Sequence, residues 1–267
     1  MILLMVGSVT GAVLLPETLA PEDWPNSNWS TSTSGSPVIG ISEIGVEDYW
    51  LRIRRTANSG LGTGSGAVYY TGGILIADPV NQFSDFAGSV EYRAGTGSYP
   101  GGVVLRAQNR TYTGSQGFYI AITPAGTSGP AVSGPQLGIY YNPGTGFLNG
   151  TELPNRLAAI ALSSALSASQ NYQIRFSAIG NVIYAAIHEY DINGNPIVDP
   201  LYELTYTDVD NLYPTSGYIG LRGGQFGGSS SANFRNLEVN LIPEPGSVLL
   251  LGLATCLFLG KRSVHRR

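Results

Sequence analysis

The stretch "YQIRFSAIGNVIYAAIHEYDINGNPI", residues 172–197, decides the fold of this protein. From Tyr172 to Ala178, apolar side chains occupy every second position and polar side chains lie between them. That period of two is typical of a β-strand with one buried and one wet face. Gly180-Asn181 then predicts a tight turn into a second strand, Val182–Tyr190, and Asn193-Gly194 predicts another turn. Consecutive hairpins of this kind build antiparallel sheets.

The same pattern continues on both sides of this hairpin. From Val46 to Leu241, runs such as "GSVEYRA", "GFYIAIT" and "LYELTYT" are separated by Gly, Pro and Asn turns, which predicts about ten to thirteen strands. Only "NRLAAIALSSALSAS", residues 155–169, could hold a helix, and its apolar residues make no sustained helical stripe. The sequence therefore predicts an all-β fold, one sandwich of two antiparallel sheets.

Three pieces of the chain resemble the concanavalin A-like jelly-roll superfamily. They are "GGVVLRAQNRTYTGSQGFYIAIT" (residues 101–123), the hairpin of residues 172–197, and "SGYIGLRGGQFGGSSSANFRNLEV" (residues 216–239). The likeness is greatest to laminin-G-like modules and to bacterial relatives grouped with 3-keto-disaccharide hydrolases, whose last strand ends in Phe-x-Asn-x-x-Val, as Phe234 to Val239 does here. The resemblance implies a jelly roll over residues 45–240.

The chain begins with an apolar segment. Residues 1–15 contain no Lys or Arg, although a secretory signal normally opens with positive charge. Small side chains at Thr18 and Ala20 fit a cleavage site, so residues 1–20 are interpreted as signal peptide-like, with cleavage near Ala20. A buried strand is disfavoured here because prolines surround the segment. Residues 21–45 are then a polar leader, with a first strand around Pro37 to Glu43, and residues 46–241 are the β-sandwich domain.

The last segment, residues 242–267, has three parts in fixed order. The motif Pro243-Glu244-Pro245 precedes the apolar run Gly246–Gly260. A helix of 15 residues reaches roughly 22 Å, against about 30 Å of bilayer hydrocarbon, so the run is a short transmembrane helix suited to temporary anchoring. A basic cluster follows, which places that end in the cytoplasm; it consists of Lys261, Arg262, Arg266 and Arg267.

This tail resembles the PEP-CTERM sorting signal of Gram-negative bacteria. The resemblance implies an exosortase as processing partner, export across the inner membrane, transient anchoring, and a final place at the cell surface or in the extracellular matrix. Proteins with this signal are associated with exopolysaccharide and biofilm. An ordinary single-pass tail that follows a Pro-Glu-Pro linker is the alternative.

Charge and cysteine content exclude several classes of function. Four of the 14 basic residues lie in the last seven positions, which leaves 10 arginines against 18 acidic residues, a net charge of about −8. That charge argues against nucleic acid or anionic lipid as a partner of the domain. The single cysteine, Cys256, lies in the tail helix, so the domain is expected to stand without a disulfide.

Catalysis has little support in the sequence. Outside the tail the only histidine is His188, in mid-strand, where a structural hydrogen bond is expected. Glucanases of the superfamily carry Glu-x-Asp-x-x-Glu on one strand, and Glu189-Tyr190-Asp191 begins that pattern, but Gly194 stands in place of the second glutamate. Related hydrolase-like sequences carry Glu and Gln where this chain has Tyr119 and Ala121.

No cofactor is expected, apart from a structural calcium ion as an open alternative. Asp191, Asn193 and Asn195 place oxygen ligands at alternate positions, as calcium loops do, yet the glutamate expected at position 202 is Tyr. Asp208 and Asp210 are a weaker candidate pair. Laminin-G-like domains hold a calcium ion at a loop rim, so the resemblance keeps the hypothesis open.

Aromatic rings and planar polar groups predict carbohydrate binding without catalysis. A sugar face stacks on tyrosine while Arg, Asn and Gln donate hydrogen bonds. The candidate residues are Tyr99, Arg106, Gln108, Asn109, Tyr112, Tyr140, Tyr141 and Asn142. The function predicted is that of an exported surface or matrix protein that binds glycan. A glycan-processing hydrolase of the keto-disaccharide type and a purely structural biofilm protein remain the alternatives.

Overall fold

The computed structural model describes residues 11–20, 29–34, 37–44, 48–55, 65–70, 84–94, 101–108, 116–123, 135–143, 156–223 and 230–242. These ranges form 15 strands and contain no helix. The strands are β1 (Gly11–Leu15), β2 (Trp29–Ser34), β3 (Pro37–Glu43), β4 (Tyr49–Arg55), β5 (Ser65–Tyr70), β6 (Phe86–Ala94), β7 (Gly101–Ala107), β8 (Gln116–Thr123), β9 (Gln136–Pro143), β10 (Arg156–Ala161), β11 (Asn171–Ile179), β12 (Val182–Glu189), β13 (Tyr202–Thr207), β14 (Tyr218–Gly223) and β15 (Ser230–Leu241).

The strands form two antiparallel sheets. The eight-stranded sheet has the order β13-β12-β11-β6-β15-β4-β3, and β1 also pairs with β15. The seven-stranded sheet has the order β10-β9-β8-β7-β14-β5-β2. Because neighbours in sequence are often not neighbours in the sheets, the chain repeatedly crosses from one layer to the other. The predicted all-β, two-sheet sandwich is confirmed.

The hairpin β11–β12 has the geometry that its sequence predicts. Its strands pair without interruption from Tyr172 opposite Glu189 to Ile179 opposite Val182. Burial alternates along β11, with the apolar positions inside. Gly180 begins the two-residue turn at φ 54°, a left-handed conformation that glycine adopts without steric cost.

The core lies between the two sheets. Every second residue of the central strands enters it, including Val90 of β6, Ile120 of β8 and Ile174 of β11, all fully buried. Phe86 and Phe176 meet edge to face, with ring centroids 6.4 Å apart. Burial of this apolar surface is the main driving force that holds the sheets together.

The sandwich begins earlier in the chain than residue 46. Strand β3 occupies Pro37–Glu43, as expected, but β2 lies inside the predicted polar leader and forms an edge of the seven-stranded sheet. The sequence disfavoured a buried strand in the N-terminal segment because prolines surround it. Strand β1 nevertheless forms there, since Pro16 and Pro21 follow the strand and do not interrupt it. The segment considered for a helix forms β10 from Arg156 to Ala161.

The sorting-signal residues Pro243, Glu244, Pro245, Lys261, Arg262, Arg266 and Arg267 lie outside the described residues, as does the predicted tail helix. Within the described ranges, no helix has the length and hydropathy needed to span a bilayer.

Candidate ligand-binding rim

One end of the seven-stranded sheet gathers several of the residues that the sequence singles out. Strand β7 ends there at Ala107, followed by Gln108, while β8 begins and β9 ends beside it, with Gly117 opposite Asn142. The connection between β13 and β14, residues 208–217, reaches the same end because Tyr218 pairs with Ala107. We call this end the rim, defined by Gln108, Tyr141, Asn142 and residues 208–217.

An aromatic cluster forms the centre of the rim. The ring of Tyr213 lies 4.1 Å from that of Tyr141, centroid to centroid, with the planes tilted by 41°. The same ring contacts Phe118 edge to face at 5.5 Å and Tyr206 at 6.3 Å. Tyr206 and Tyr213 are half-buried, whereas Tyr141 is 9% exposed. The cluster therefore joins the core to solvent through tyrosine rings.

Two phenols of the cluster, those of Tyr141 and Tyr206, have raised pKa values. Burial raises the pKa of Tyr141, and the neighbouring Tyr213 raises it further. Burial also raises the pKa of Tyr206, with additional contributions from Tyr213 and Asp208. A neutral phenol both donates and accepts a hydrogen bond. These rings can therefore offer an apolar face and a polar edge to one ligand.

Asp208 holds the first end of the rim loop. It is buried, and its Oδ2 accepts a hydrogen bond of 3.0 Å from the amide of Tyr213. Its backbone exchanges two bonds with Asn181 of the β11–β12 turn: the Asp208 amide donates to the Asn181 carbonyl at 2.8 Å, and Asn181 Nδ2 donates to the Asp208 carbonyl at 2.9 Å. These bonds fix the position from which Tyr213 projects.

Gln108 holds the second end of the loop. Its Nε2 donates to the carbonyl oxygen of Ser216 at 2.6 Å and to that of Arg106 at 3.0 Å. Both amide hydrogens are thus engaged within the protein, and the amide oxygen remains as an acceptor. Gln108 is an exposed member of the rim, and its amide positions the loop.

Arg106 has a structural role that differs from the predicted ligand contact. Its side chain is 2% exposed. Nε and Nη2 donate hydrogen bonds of 3.1 and 2.8 Å to the carbonyl oxygen of Ser84, and Nη1 donates one of 2.8 Å to the carbonyl oxygen of Gly180. Asp85 lies 3.3 Å from Nη2. Burial lowers the pKa of Arg106, and Asp85 opposes that shift. The guanidinium therefore joins β7 to the other sheet and is not available to a sugar.

Tyr140 belongs to the outer face of the seven-stranded sheet. Its ring covers Gly138, and its hydroxyl accepts a bond of 3.1 Å from Gln136. Cross-strand register places Tyr119 beside Tyr140, and the guanidinium of Arg222 lies 5.2 Å from the Tyr119 ring centroid. All these side chains are buried. Burial raises the pKa of Tyr140 to about 12.

The remaining candidates divide between the rim and the undescribed residues. Asn142 lies at the rim by its backbone register. Asn109 and Tyr112 fall in residues 109–115, the connection that starts and ends at the rim, and they lie outside the described residues. Tyr99 also lies outside them, in the connection that leads into the opposite end of β7.

The predicted calcium loop is a turn closed by its own aspartate. Asp191 Oδ1 accepts hydrogen bonds of 2.8 Å from the amides of Asn193 and Asn195. These bonds lower the pKa of Asp191, the bond from Asn195 most. Gly194 completes the turn at φ 81°. In the described part of the chain, no group of three or more His, Cys, Asp or Glu residues is arranged to hold a metal ion.

The residues considered for catalysis are not brought together. His188 is buried with Nδ1 2.8 Å from the carbonyl oxygen of Ile197, so Nδ1 carries the proton and the predicted structural bond is present. Glu91 pairs with Arg235, and it shares a sheet face with Gln173. Glu189 stands opposite Tyr172 and so faces the other side of the same sheet.

Sequence reasoning missed Tyr206, Tyr213 and Asp208 as members of this site. Tyr206 alternates with exposed threonines in an ordinary strand, and Asp208 was considered only as a calcium ligand. The segment "DVDNLYPTSGY" does place an aromatic residue directly before a proline in a long connection. That signal could have identified Tyr213 as a loop aromatic.

No protein-family model matches the chain, and no curated protein matches it. Solved structures match in fold. The exoplasmic/lumenal domain of VIP36 in its Ca2+/Man-bound form has a TM-score of 0.58 at 12% identity, over 86% of this chain and 90% of that one. Lectin I from Ulex europaeus, in complex with the methyl glycoside of α-L-fucose, has a TM-score of 0.54 at 10% identity, over 86% and 98%. A Bacillus subtilis protein of unknown function with a galectin-like fold has a TM-score of 0.51 at 13% identity, over 84% and 93%. The fold is thus a lectin-like jelly-roll sandwich.

Proposed function

We propose that this protein binds glycan at the rim without catalysis. The observation that carries the proposal is the aromatic cluster in which Tyr213, on a loop fixed at both ends, packs against Tyr141 of β9 and Tyr206 of β13. Half-buried tyrosine rings offer the flat apolar faces that sugars stack on, and their hydroxyls supply hydrogen bonds. A loop that is already ordered loses little conformational entropy on binding.

The lectin-like fold supports this proposal by analogy. The VIP36 domain carries mannose and calcium in one of its solved forms, and the Ulex lectin carries a fucoside. The analogy covers the sandwich and sugar as the class of ligand. We do not extend it to calcium, because Asp191 is engaged in its own turn.

The distribution of carboxylates favours binding over hydrolysis. The seven described strands of the rim sheet contain three arginines, Arg106, Arg156 and Arg222, and no Asp or Glu. Glycoside hydrolysis by the usual route needs two carboxylates about 5 to 9.5 Å apart. The hydrolase alternative would need Glu91, Glu189 or Asp191. Glu91 and Glu189 lie on opposite faces of the other sheet, and Asp191 lies in a turn.

The cellular setting is proposed from the tail alone. An exosortase would process the Pro-Glu-Pro tail of an exported precursor that the short helix anchors transiently in the inner membrane of a Gram-negative bacterium. The sandwich would then act at the cell surface or in the extracellular matrix, on exopolysaccharide of a biofilm. This setting rests on the motif Pro243-Glu244-Pro245, the apolar run and the basic end.

A glycan array on the purified protein tests the proposal, with Tyr213→Ala as the main variant. We expect binding to at least one glycan class, weakened about tenfold by the loss of a stacking ring, since about 1.4 kcal/mol is a factor of ten. Tyr184→Ala is the control, because Tyr184 is a half-buried tyrosine on the eight-stranded sheet, away from the rim. Equal loss in both variants, or no glycan bound by the parent protein, would contradict binding at the rim.

The same array separates the two alternatives. Release of free sugar that is lost in Glu91→Gln or Glu189→Gln would indicate the hydrolase. A folded parent protein that neither binds nor releases sugar would favour a structural biofilm component.

A further inference from the structure

Strand β1 is built into the eight-stranded sheet. Gly11 to Val13 run antiparallel to β15, opposite Asn240 to Glu238, and Leu15 stands opposite Leu237. One edge of β15 pairs with β6. The opposite edge pairs with β4 from Ser230 to Phe234 and with β1 further along the strand. Strand β1 therefore completes an edge that no other described strand covers.

The side chains of this segment belong to the core. Leu14, Leu15 and Leu19 are buried and join the main hydrophobic cluster. Val13 points the other way and is 55% exposed. The consecutive residues Leu14 and Leu15 are both buried where the register with β15 shifts between Val13 and Leu15. The segment thus buries three leucines, which favours its docking on the sandwich.

Contacts beyond the strand hold the segment in place. The carbonyl oxygen of Pro16 accepts a hydrogen bond of 3.0 Å from the amide of Asn236. Asn236 adopts φ 48° where the β6 register shifts between Arg235 and Glu238, so β15 bends at the point where β1 replaces β4 as its neighbour. Burial raises the pKa of Tyr190 most and Glu91 raises it further, while the carboxylate of Glu17 makes a smaller contribution in the same direction.

We infer that residues 11–20, which begin with strand β1, are a permanent part of the mature domain, and that cleavage after Ala20 does not occur in the folded protein. Removal of this segment would take three leucines out of the core. It would also leave the backbone of Leu237 to Asn240 unpaired along one edge, an open edge that promotes aggregation. Any processing of the N-terminal segment would then take place before Gly11.

Mass spectrometry of the exported full-length protein tests the inference directly. The chain is produced in a Gram-negative host, and folded material is recovered from outside the inner membrane. We expect peptides that cover Gly11 to Ala20 to be present at the same level as peptides of the sandwich. Folded material that begins at Pro21 would overturn the inference.

A matched pair of variants tests the strand independently of processing. In the full chain, Leu15→Ala should lower Tm by about 5–15 °C, because the truncated side chain leaves a cavity in the core. Val13→Ala should change Tm by less than about 2 °C, because its side chain is mostly in solvent. Equal small shifts would show that β1 is not docked and would overturn the inference. The test is independent of glycan binding, since neither residue lies at the rim.

Discussion

The guanidinium of Arg106 joins three separate segments of the chain. It reaches from the end of β7 to the carbonyl oxygens of Ser84 and Gly180 and to the carboxylate of Asp85. The carboxylate of Asp85 in turn accepts a hydrogen bond of 2.8 Å from the amide of Gly180. Arg106 itself has φ 52°, an unusual backbone conformation for a residue with a side chain. A planar group with donors in a fixed fork suits such a junction, and lysine could not replace it.

Arg106→Ala should destabilise the sandwich strongly. The change removes a buried side chain together with its hydrogen bonds to Ser84, Asp85 and Gly180, which costs about 2–4 kcal/mol in the free energy of unfolding. Urea denaturation measures the loss. Arg156→Ala is the control, because Arg156 is exposed on the edge strand β10 and should change the free energy by no more than about 0.5 kcal/mol. An equal small effect of both substitutions would contradict the structural role of Arg106.

The central strands of the seven-stranded sheet come unusually close to one another at glycines. Gly102 stands opposite Ala121, and a Cβ at Gly102 would overlap the backbone carbonyl of Ile120. The three atoms nearest to a Cβ at Gly138 all belong to the phenol group of Tyr140. The first neighbour is fixed backbone, whereas the second is the far end of a side chain.

Gly102→Ala should therefore cost more stability than Gly138→Ala. We expect the first substitution to lower the free energy of unfolding by about 3 kcal/mol or more, since the sheet must open, and the second by about 1–2 kcal/mol. Chemical denaturation of both variants, compared with the parent, measures the difference. A smaller loss for Gly102→Ala than for Gly138→Ala would contradict the close approach of β7 and β8.

The two sheets of the whole molecule differ in charge. In the described strands, glutamates occur only in the eight-stranded sheet, including the Glu91–Arg235 pair on its outer face. Arg235 also bonds Asp48 at 2.7 Å and lies 4.3 Å above the ring of Trp50. The ion pairs of one sheet thus stabilise structure, while the described strands of the other sheet, which carry no Asp or Glu, end in the aromatic rim. This division fits a domain with one binding side.

Tail processing is a prediction for the whole molecule. If an exosortase removes the tail, peptides that contain Cys256 should be absent from mature protein of the native cells, and present when Pro243, Glu244 and Pro245 are all replaced by alanine. Mass spectrometry of both forms measures this. Intact Cys256 in mature parent protein would contradict the sorting hypothesis.

The sequence by itself determined the all-β, two-sheet character of this protein. Strand alternation in Tyr172–Glu189 and its Gly-Asn turn follow from local rules, because a period of two and a positive φ are properties of neighbouring residues. The strand at Pro37–Glu43 and the structural bond of His188 were predicted for the same reason. Tyr141 and Gln108 were predicted as ligand-binding residues because their chemical types are those of sugar sites, and both lie at the rim.

Only the tertiary structure decided which of these residues meet. Arg106 joins the two sheets, and Tyr213 lies at the rim, because the fold brings residues 74 to 108 positions apart into hydrogen-bond contact, as in Arg106 with Gly180 and Gln108 with Ser216. Local patterns hold no information about such distant pairs. The same reason explains β1: prolines predicted a break in the chain, but the partner that makes the segment a strand, β15, lies more than 200 residues away.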